Sequence, residues 1–446
     1  MIKVAKFGGS SVANATQFEK VKAIADNDPS RKYIVTSACG KESKEDHKVT
    51  DLLYLCQAHI KYGVSYEDIF SLVEKKYLDI RDKLKLSFDM EAEFKQIREL
   101  IEKGVSTDYL VSRGEYLTAR LLAEYLDAKF VDATELIVFR YDGSFDMEKI
   151  MENIRKYTVT EERVVIPGFY GVLPNGVIKL MKRGGSDITG ALIANAADAD
   201  VYENWTDVSG FLVADPRIID SPLRIPRITY SELREMSYMG ANVLQDEAIF
   251  PVREKNIPIN IRNTNEPGNP GTVILEDCTE IDLKEPPHVV TGITGQKDFT
   301  VITLTKAHCC MEVGFLRRIL SVFEKYKVSI ESIPSTVDTT SVIVRSEAVK
   351  QNLYEIVAEL KKEVKPDDLV IDDRLALVAI VGRGMKRRVG MSGRLLSEFG
   401  HHQVNIRTII QTSDELSIVV GVADDDFEKA IHVVYERFIK EEQKVR

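Results

Sequence analysis

A lysine and an arginine each stand beside a Gly-Gly-Ser step, and these two segments are the chain's strongest chemical signals. In VAKFGGSSV, Val4 to Val12, Lys6 lies in an apolar run two residues before Gly8 and Gly9, with Ser10 and Ser11 behind them. A strand that ends in glycines leaves backbone N–H groups pointing at one spot, and the missing side chains let a ligand come close. That is chemistry for holding phosphate, but the order differs from a P-loop, whose lysine follows its glycines. An edge-strand lysine beside an ordinary turn would read the same. In KRGGSDITGALIANAA, Lys182 to Ala197, Arg183 precedes Gly184 and Gly185, and Ser186 and Asp187 open a helical run. Ser186 or Asp187 can cap that helix, whose free N–H groups favour an anion. The planar fork of Arg183 suits a carboxylate. The plainer alternative is a capped helix beside a surface arginine.

Two further segments have the polarity of a ligand site. In WTDVSGFLVADPR a strand stops at Thr206-Asp207 and a loop runs on to Asp215-Pro216-Arg217. Ligands of α/β sheets sit beyond the carboxyl ends of the strands, so a polar loop there suits a nucleotide. In SRGEYLTARLLAEYL, Ser112 to Leu126, Glu115 is expected in the first turn of a long amphipathic helix, where acidic residues are favoured whatever their function.

The elements that must position these residues alternate between strand and helix from residue 1 to about 287, which predicts a largely parallel sheet with helices on its faces. VAKFGG, KYIVTSA, AKFVDA, RVVIPGF and ADVYENWTDV are the clearest strands. Tyr66 to Lys103, rich in Glu, Lys and Leu, reads as a helical excursion. NTNEPGNPGT, Asn263 to Thr272, reads as a loop, and DLKEPPH as the linker that ends the first domain.

Beyond the linker the chain repeats itself. GFLRRILSVFEKYKVSIESIPSTVDTTSVIV from Gly314 aligns without a gap on GMSGRLLSEFGHHQVNIRTIIQTSDELSIVV from Gly390. Gly314, Arg318, Phe323, Val328, Asp338 and Val344 all meet their own kind. Each copy runs from a strand through a glycine-ended loop into an amphipathic helix and then two alternating strands. A unit seen only twice is a duplicated small α+β domain rather than a solenoid.

Composition sets limits on the function. With 446 residues the chain is expected to hold two or three domains. The hydrophobic fraction of 44% and charged fraction of 29% are those of a globular protein. A net charge of −10 gives no general attraction for nucleic acid or anionic membrane, so phosphate must be bound locally. Met1 leads straight into a strand and no apolar run approaches spanning length, so a cytoplasmic protein is expected. Five scattered cysteines argue against a disulfide framework. His308-Cys309-Cys310 lacks a second ligand pair, and no protein metal site is expected there.

KFGGSSV, SRGEYL, RGGSD, TDVSG with ADPR, NTNEPGNPGT and the duplicated tail together resemble the aspartokinases of the amino acid kinase superfamily. The resemblance implies an amino acid kinase fold over 1–287, a mainly parallel sheet sandwiched by helices. It implies a regulatory region over 288–446 with two ferredoxin-like ACT domains, near 299–366 and 375–442. The implied reaction moves the γ-phosphoryl group of ATP to the β-carboxylate of L-aspartate, as the first step towards lysine, threonine and methionine. A carboxylate is already an ionised nucleophile, so positioning and charge neutralisation are enough, which agrees with the lack of an obvious catalytic His or Cys.

Carried over residue by residue, the resemblance makes Lys6, Arg183 and Asp187 catalytic. It places ATP on Lys6, Gly8, Gly9, Ser10, Gly185, Ser186, Thr206, Asp207 and Arg217, with Mg2+ and no dedicated protein cage. Ser37 and Thr50 fall around aspartate, with Arg183 on its α-carboxylate and Glu115 on its ammonium. An amino-acid effector is expected on the first ACT copy, at Cys309, Glu312, Gly314, Phe315, Leu316, Ser329, Ile330, Glu331 and Thr336. Two carboxylates favour lysine over threonine there. Pairing of ACT domains implies a homodimer or homotetramer, and the length implies a monofunctional kinase.

Three departures bear on the nucleotide side: Lys182 where the family has glycine, Asn242, Gln245 and Asp246 in GANVLQD, and Leu212 in place of an aromatic. Two alternatives stay open. One is a sister kinase acting on glutamate, N-acetylglutamate, carbamate or a nucleoside monophosphate; the other is a catalytically silent amino-acid sensor.

Overall fold

The structure, a computed structural model, describes residues 1–158, 162–182, 184–240, 250–284, 288–386 and 388–440. The chain forms two compact units: Met1–Phe211, Pro226–Tyr230 and Val243–Asp277 make the first, and Leu212–Ile225, Ser231–Asn242 and Cys278–Arg446 the second. The expected domain boundary at 287/288 adjoins residues 285–287, outside the described residues.

The first unit contains β1 (Lys3–Phe7), β2 (Arg31–Thr36), β3 (Lys129–Phe130), β4 (Val164–Pro167), β5 (Tyr170–Val172), β6 (Ile178–Leu180), β7 (Val201–Thr206), β8 (Arg227–Thr229), β9 (Ile259–Asn263) and β10 (Thr272–Leu275). Eight of these form one sheet in the order β3-β4-β2-β1-β7-β9-β10-β8, and β5 and β6 form a separate hairpin. From β3 to β9 neighbouring strands run parallel, whereas β10 runs antiparallel to β9 and β8 runs parallel to β10. Parallel strands are buried on both faces, which explains their near-continuous apolar runs. All five expected strands are present, although AKFVDA supplies only the two residues of β3. The expected helical excursion forms the helices Glu67–Leu84 and Met90–Glu102.

β1 lies between β2 and β7, where the strand order reverses direction, so crossovers leave on opposite sides of it. A crevice at the carboxyl end of the sheet opens at such a switch point. Buried ionic contacts span it from below. Arg31 on β2 donates to Glu203 on β7 through Nε at 2.6 Å and Nη2 at 3.1 Å, and Trp205 Nε1 donates to the same carboxylate at 2.9 Å. A bidentate pair fixes orientation as well as distance, so β7 is held in register across β1.

The second unit carries β11 (Gly292–Thr305), β12 (Thr339–Arg345), β13 (Asp368–Val381), β14 (Thr408–Gln411) and β15 (Ser417–Ala423). They form one antiparallel sheet in the order β12-β11-β13-β15-β14, to which both copies of the repeat contribute. The repeat persists in the backbone: Gly314 at φ 80° and Gly390 at φ 81° cap equivalent helices, Phe315–Lys325 and Met391–His401. One expected strand fails. Residues 329–338 make only the isolated bridges Ser332 to Ile343 and Ser335 to Thr340, whereas the second copy forms β14. Pro334 stands where the second copy has Ile410 and has no N–H to donate to a ladder.

This unit also takes in the helix Tyr230–Tyr238 from Ser231 onward. Glu232, fully buried, accepts from Thr291 Oγ1 at 2.7 Å and from Arg383 N and Nη1 at 2.8 and 2.9 Å.

Candidate active site

Lys6 is a buried residue of a central strand, not an edge-strand lysine. Its Nζ lies 2.5 Å from Asp187 Oδ1 and 3.4 Å from Asn204 Oδ1. Asn204 sits opposite Lys6 on β7 and donates through Nδ2 to the same Asp187 oxygen at 2.9 Å. Beyond Lys6 the chain turns through Gly8 into a short 3-10 helix, Gly9–Val12, which contains Ser10. The Gly8 Cα lies close to the ammonium, since a Cβ there would stand in ordinary contact with it at 3.5 Å.

Asp187 comes from the helix Gly185–Ala196. Neither Ser186 nor Asp187 caps it, contrary to expectation: Gly184 is the cap, at φ 81° and with no side-chain bond. Both residues lie inside the first turn, which frees the Asp187 carboxylate to meet Lys6. The N–H groups of Gly185 and Ser186 precede the first helical bonds and make an anion site with the helix dipole, whereas that of Asp187 donates to Gly184 O at 2.9 Å. Tyr202 on β7 donates its hydroxyl to the Asp187 carbonyl at 3.1 Å and fastens the turn to the sheet.

Glu115 also departs from expectation. Its helix begins at Thr107 with Ser106 as the cap, so Glu115 lies in the third turn and is buried. The signals of the true start are Ser106 and Asp108, upstream of the segment singled out. Burial pushes the Glu115 carboxyl up to about 8, against the opposing effects of the Ala38 N–H and the Arg113 charge. Its Oε2 is buried without a hydrogen-bond partner among the described residues. A buried acceptor left open in this way suits a cationic donor group on a ligand.

The segment Ser37 to Gly40, which follows β2, brings the two halves of the site together. Gly40 N donates to Gly9 O at 2.8 Å, and a Cβ on Gly40 would fall 2.5 Å from Gly9 C, so only glycine fits this contact. On its other side Ala38 packs against Gly114 and serves Glu115. Ser37 is tied by its N–H to Phe7 O, and Thr50 opens the helix Val49–Lys61, whose first N–H is held by Cys39 O at 3.1 Å. Lys76 was not expected to matter. Its Nζ donates to Gly40 O and to Asp46 Oδ2, both at 2.6 Å, and so pins the loop to the helix Glu67–Leu84.

Thr206 ends β7, and Asp207 is exposed beside it. Asn263 and Thr264, the first residues of NTNEPGNPGT, close this end: Asn263 Nδ2 donates to Ser209 Oγ at 2.9 Å and Thr264 Oγ1 to Ser11 Oγ at 2.7 Å. Arg217 belongs to the second unit, where it is exposed and paired with Asp215 at 2.5 Å. Arg183, Asn242, Gln245 and Asp246 lie outside the described residues. Lys182 is exposed, and Leu212 pairs with Arg224 within the second unit. No group of three His, Cys, Asp or Glu side chains suited to a metal occurs among the described residues, and no described helix is long and apolar enough to cross a membrane.

Residues 1–263 match the amino acid kinase family, and residues 378–438 match an ACT domain. Aspartokinase 3 of Bacillus subtilis is 33% identical over 455 residues, covering 98% of each chain. The chain belongs to the aspartokinases, the amino acid kinases that phosphorylate a carboxyl group of aspartate. The Schizosaccharomyces pombe aspartokinase is 26% identical, covering 98% of this chain and 92% of its own. The crystal structure of Clostridium acetobutylicum aspartate kinase is 47% identical, covers 98% and 99% of the two chains and superposes with a TM-score of 0.91. A kinase of this family uses ATP.

In this aspartokinase the candidate effector residues are not brought to one point: Cys309, Glu312, Gly314, Phe315 and Leu316 lie at the start of the helix Phe315–Lys325 with Thr336 at the same end of β12, whereas Ser329, Ile330 and Glu331 follow the far end of that helix, and Glu331 stands by Arg345 at the Phe299 end of β11. Cys309 and Phe315 are buried, Gly314 caps the helix, and Leu316, Ser329 and Thr336 are exposed. Ile330 packs against the core of the copy. Both carboxylates already have cations: Glu312 pairs with Arg318 and with Lys306 at 2.6 Å, and Glu331 with Arg345 at 3.0 Å.

The open carboxyl of Glu115 gives the kinase a pH signature. Its folded value lies above the ordinary 4.5, so the unfolded chain loses this proton first and the folded state pays increasingly as pH rises from about 4.5 to about 8. Urea titrations should show Glu115→Gln gaining stability over the unsubstituted enzyme across that window and a constant difference above it. A pH-independent difference would show that Glu115 is not protonated in the free fold.

Proposed function

We propose that Lys6 holds the transferring phosphoryl group of ATP while Glu115 and Arg183 hold aspartate. The pairing that carries this reading is a buried ammonium beside a glycine turn and a buried carboxyl without a partner, joined by Ser37 to Gly40. A β-carboxylate oxygen of aspartate attacks the γ-phosphorus. The bond from that phosphorus to the β–γ bridging oxygen breaks, and its electrons leave with ADP. No proton transfer is needed, because the nucleophile is already ionised. Lys6, the N–H groups of Gly9 and Ser10, and those of Gly185 and Ser186 meet the charge on the phosphate oxygens, whereas the Gly8 N–H, expected in the cradle, instead donates to Trp205 O at 2.9 Å and ties the turn to β7. Asp187 holds Lys6 in place, Ser37 and Thr50 border aspartate, and Arg183 takes its α-carboxylate.

Thr206, Asp207 and Arg217 are proposed for the nucleotide side, with catalysis assigned to 1–287 and regulation to 288–446. The exposed Asp207 suits a magnesium ion that keeps most of its ligands as phosphate and water. When bound, the ion would neutralise phosphate charge. We further propose a cytoplasmic homo-oligomer that takes part in making lysine, threonine and methionine.

An amino-acid effector on the first ACT copy completes the reading, with lysine as the candidate favoured by Glu312 and Glu331. Its ammonium has to compete with Lys306 and Arg345 for them. A Cβ at Gly314 would meet no atom nearer than 3.9 Å, so a β-branched substitution acts first through the φ of 80°, which such residues rarely adopt. Gly314→Val should therefore abolish inhibition in curves with lysine, threonine and methionine, with kcat in the absence of effector within a few-fold. The regulatory reading fails if none of the three, alone or in pairs, inhibits the unsubstituted enzyme.

Hydroxamate trapping with ATP, Mg2+ and aspartate, glutamate or no acceptor tests the reaction itself. Turnover is expected with aspartate alone. Lys6→Met should lower kcat at least about 100-fold with aspartate KM little changed, as for a fixed cation that acts where charge develops. Near-normal turnover by that variant would end the assignment.

A further inference from the structure

We propose that Asn204 is a positioning residue for phosphoryl transfer, one that aims the Lys6 ammonium by bonding both members of the Lys6–Asp187 pair. The inference rests on the assignment of Lys6 above. Asn204 is almost fully buried on β7, in register with Lys6 on β1. Its amide makes two bonds of opposite sense: Oδ1 accepts from Lys6 Nζ at 3.4 Å, and Nδ2 donates to Asp187 Oδ1 at 2.9 Å. Those charges fix the amide orientation, since the reverse would set an NH2 group against the ammonium and a carbonyl oxygen against the carboxylate.

A lysine ammonium has three donors. With one on Asp187 and one on Asn204, the third is the one available to a phosphate oxygen. Asp187 alone would draw the flexible lysine chain to itself and leave rotation about that contact free. A second acceptor, 198 positions away in sequence, removes that freedom. The bond from Nδ2 also takes part of the Asp187 oxygen's accepting capacity, which leaves Lys6 less neutralised than in an isolated pair. An apolar side chain at this point of a buried strand would pack as well, so packing alone does not call for an amide.

Three variants of the full-length enzyme test the inference: Asn204→Leu, Asn204→Asp and, in parallel, Lys6→Met. Asn204→Leu is expected to lower kcat about 10- to 100-fold, the size usual for outer-shell hydrogen-bond partners, with aspartate KM within about three-fold and the thermal midpoint unchanged. Asn204→Asp keeps the acceptor for Lys6 but places a carboxylate against Asp187. Its kcat relative to the unsubstituted enzyme should recover as pH is lowered, because a protonated carboxyl restores the donor. A purely structural role would not move that profile. Unchanged kcat in Asn204→Leu, or a flat relative pH profile in Asn204→Asp, overturns the proposal. If Lys6→Met also turns over normally, the assignment of Lys6 has failed; if Lys6→Met is inactive, only the role of Asn204 has.

Discussion

A charge can be kept inside a parallel sheet only if something there answers it. Lys6 sits one residue from the carboxyl end of the central strand, almost wholly buried, with Asn204 opposite it on β7. Its answer comes from Asp187, which reaches it because the helix behind it starts on a glycine with positive φ. The reach of the ammonium follows from that contact, while the lateral register of β7 is held separately by Arg31 and Glu203.

The carboxylate half of the site works the other way. Glu115 has the Ala38 N–H, but its Oε2 meets no partner among the described residues. The two halves meet through backbone, at Gly9 and Gly40, rather than through side chains that rotamer changes could loosen. Lys76 secures the far end of the same loop, so residues that touch no substrate set the spacing between phosphate and amino acid.

The five strands and both glycine loops were legible in the sequence because each depends on local pattern. The tail's duplication was legible for the same reason. Asn204 was not read, although a polar residue within VYENWT was a visible irregularity; its two partners lie 198 and 17 residues away. Glu115 was placed in the wrong turn because the motif begins well inside its helix. The missing strand at 329–338 needed only Pro334 to be weighed against Ile410. From Ser231 onward the helix Tyr230–Tyr238 belongs to the second unit, where Glu232 meets Thr291 and Arg383, contacts that no local pattern announces.

The account's central claim is that substrate ammonium supplies the partner Glu115 lacks. Calorimetric titration of aspartate in the presence of a non-hydrolysable ATP analogue, at pH 6.5 to 7 in buffers of different ionisation enthalpy, tests it directly. Below about 8 the free carboxyl holds its proton, so binding of the ammonium should release close to one proton per site, and Glu115→Gln should release none. Proton release that is absent from the unsubstituted enzyme, or unchanged in the variant, would contradict the claim.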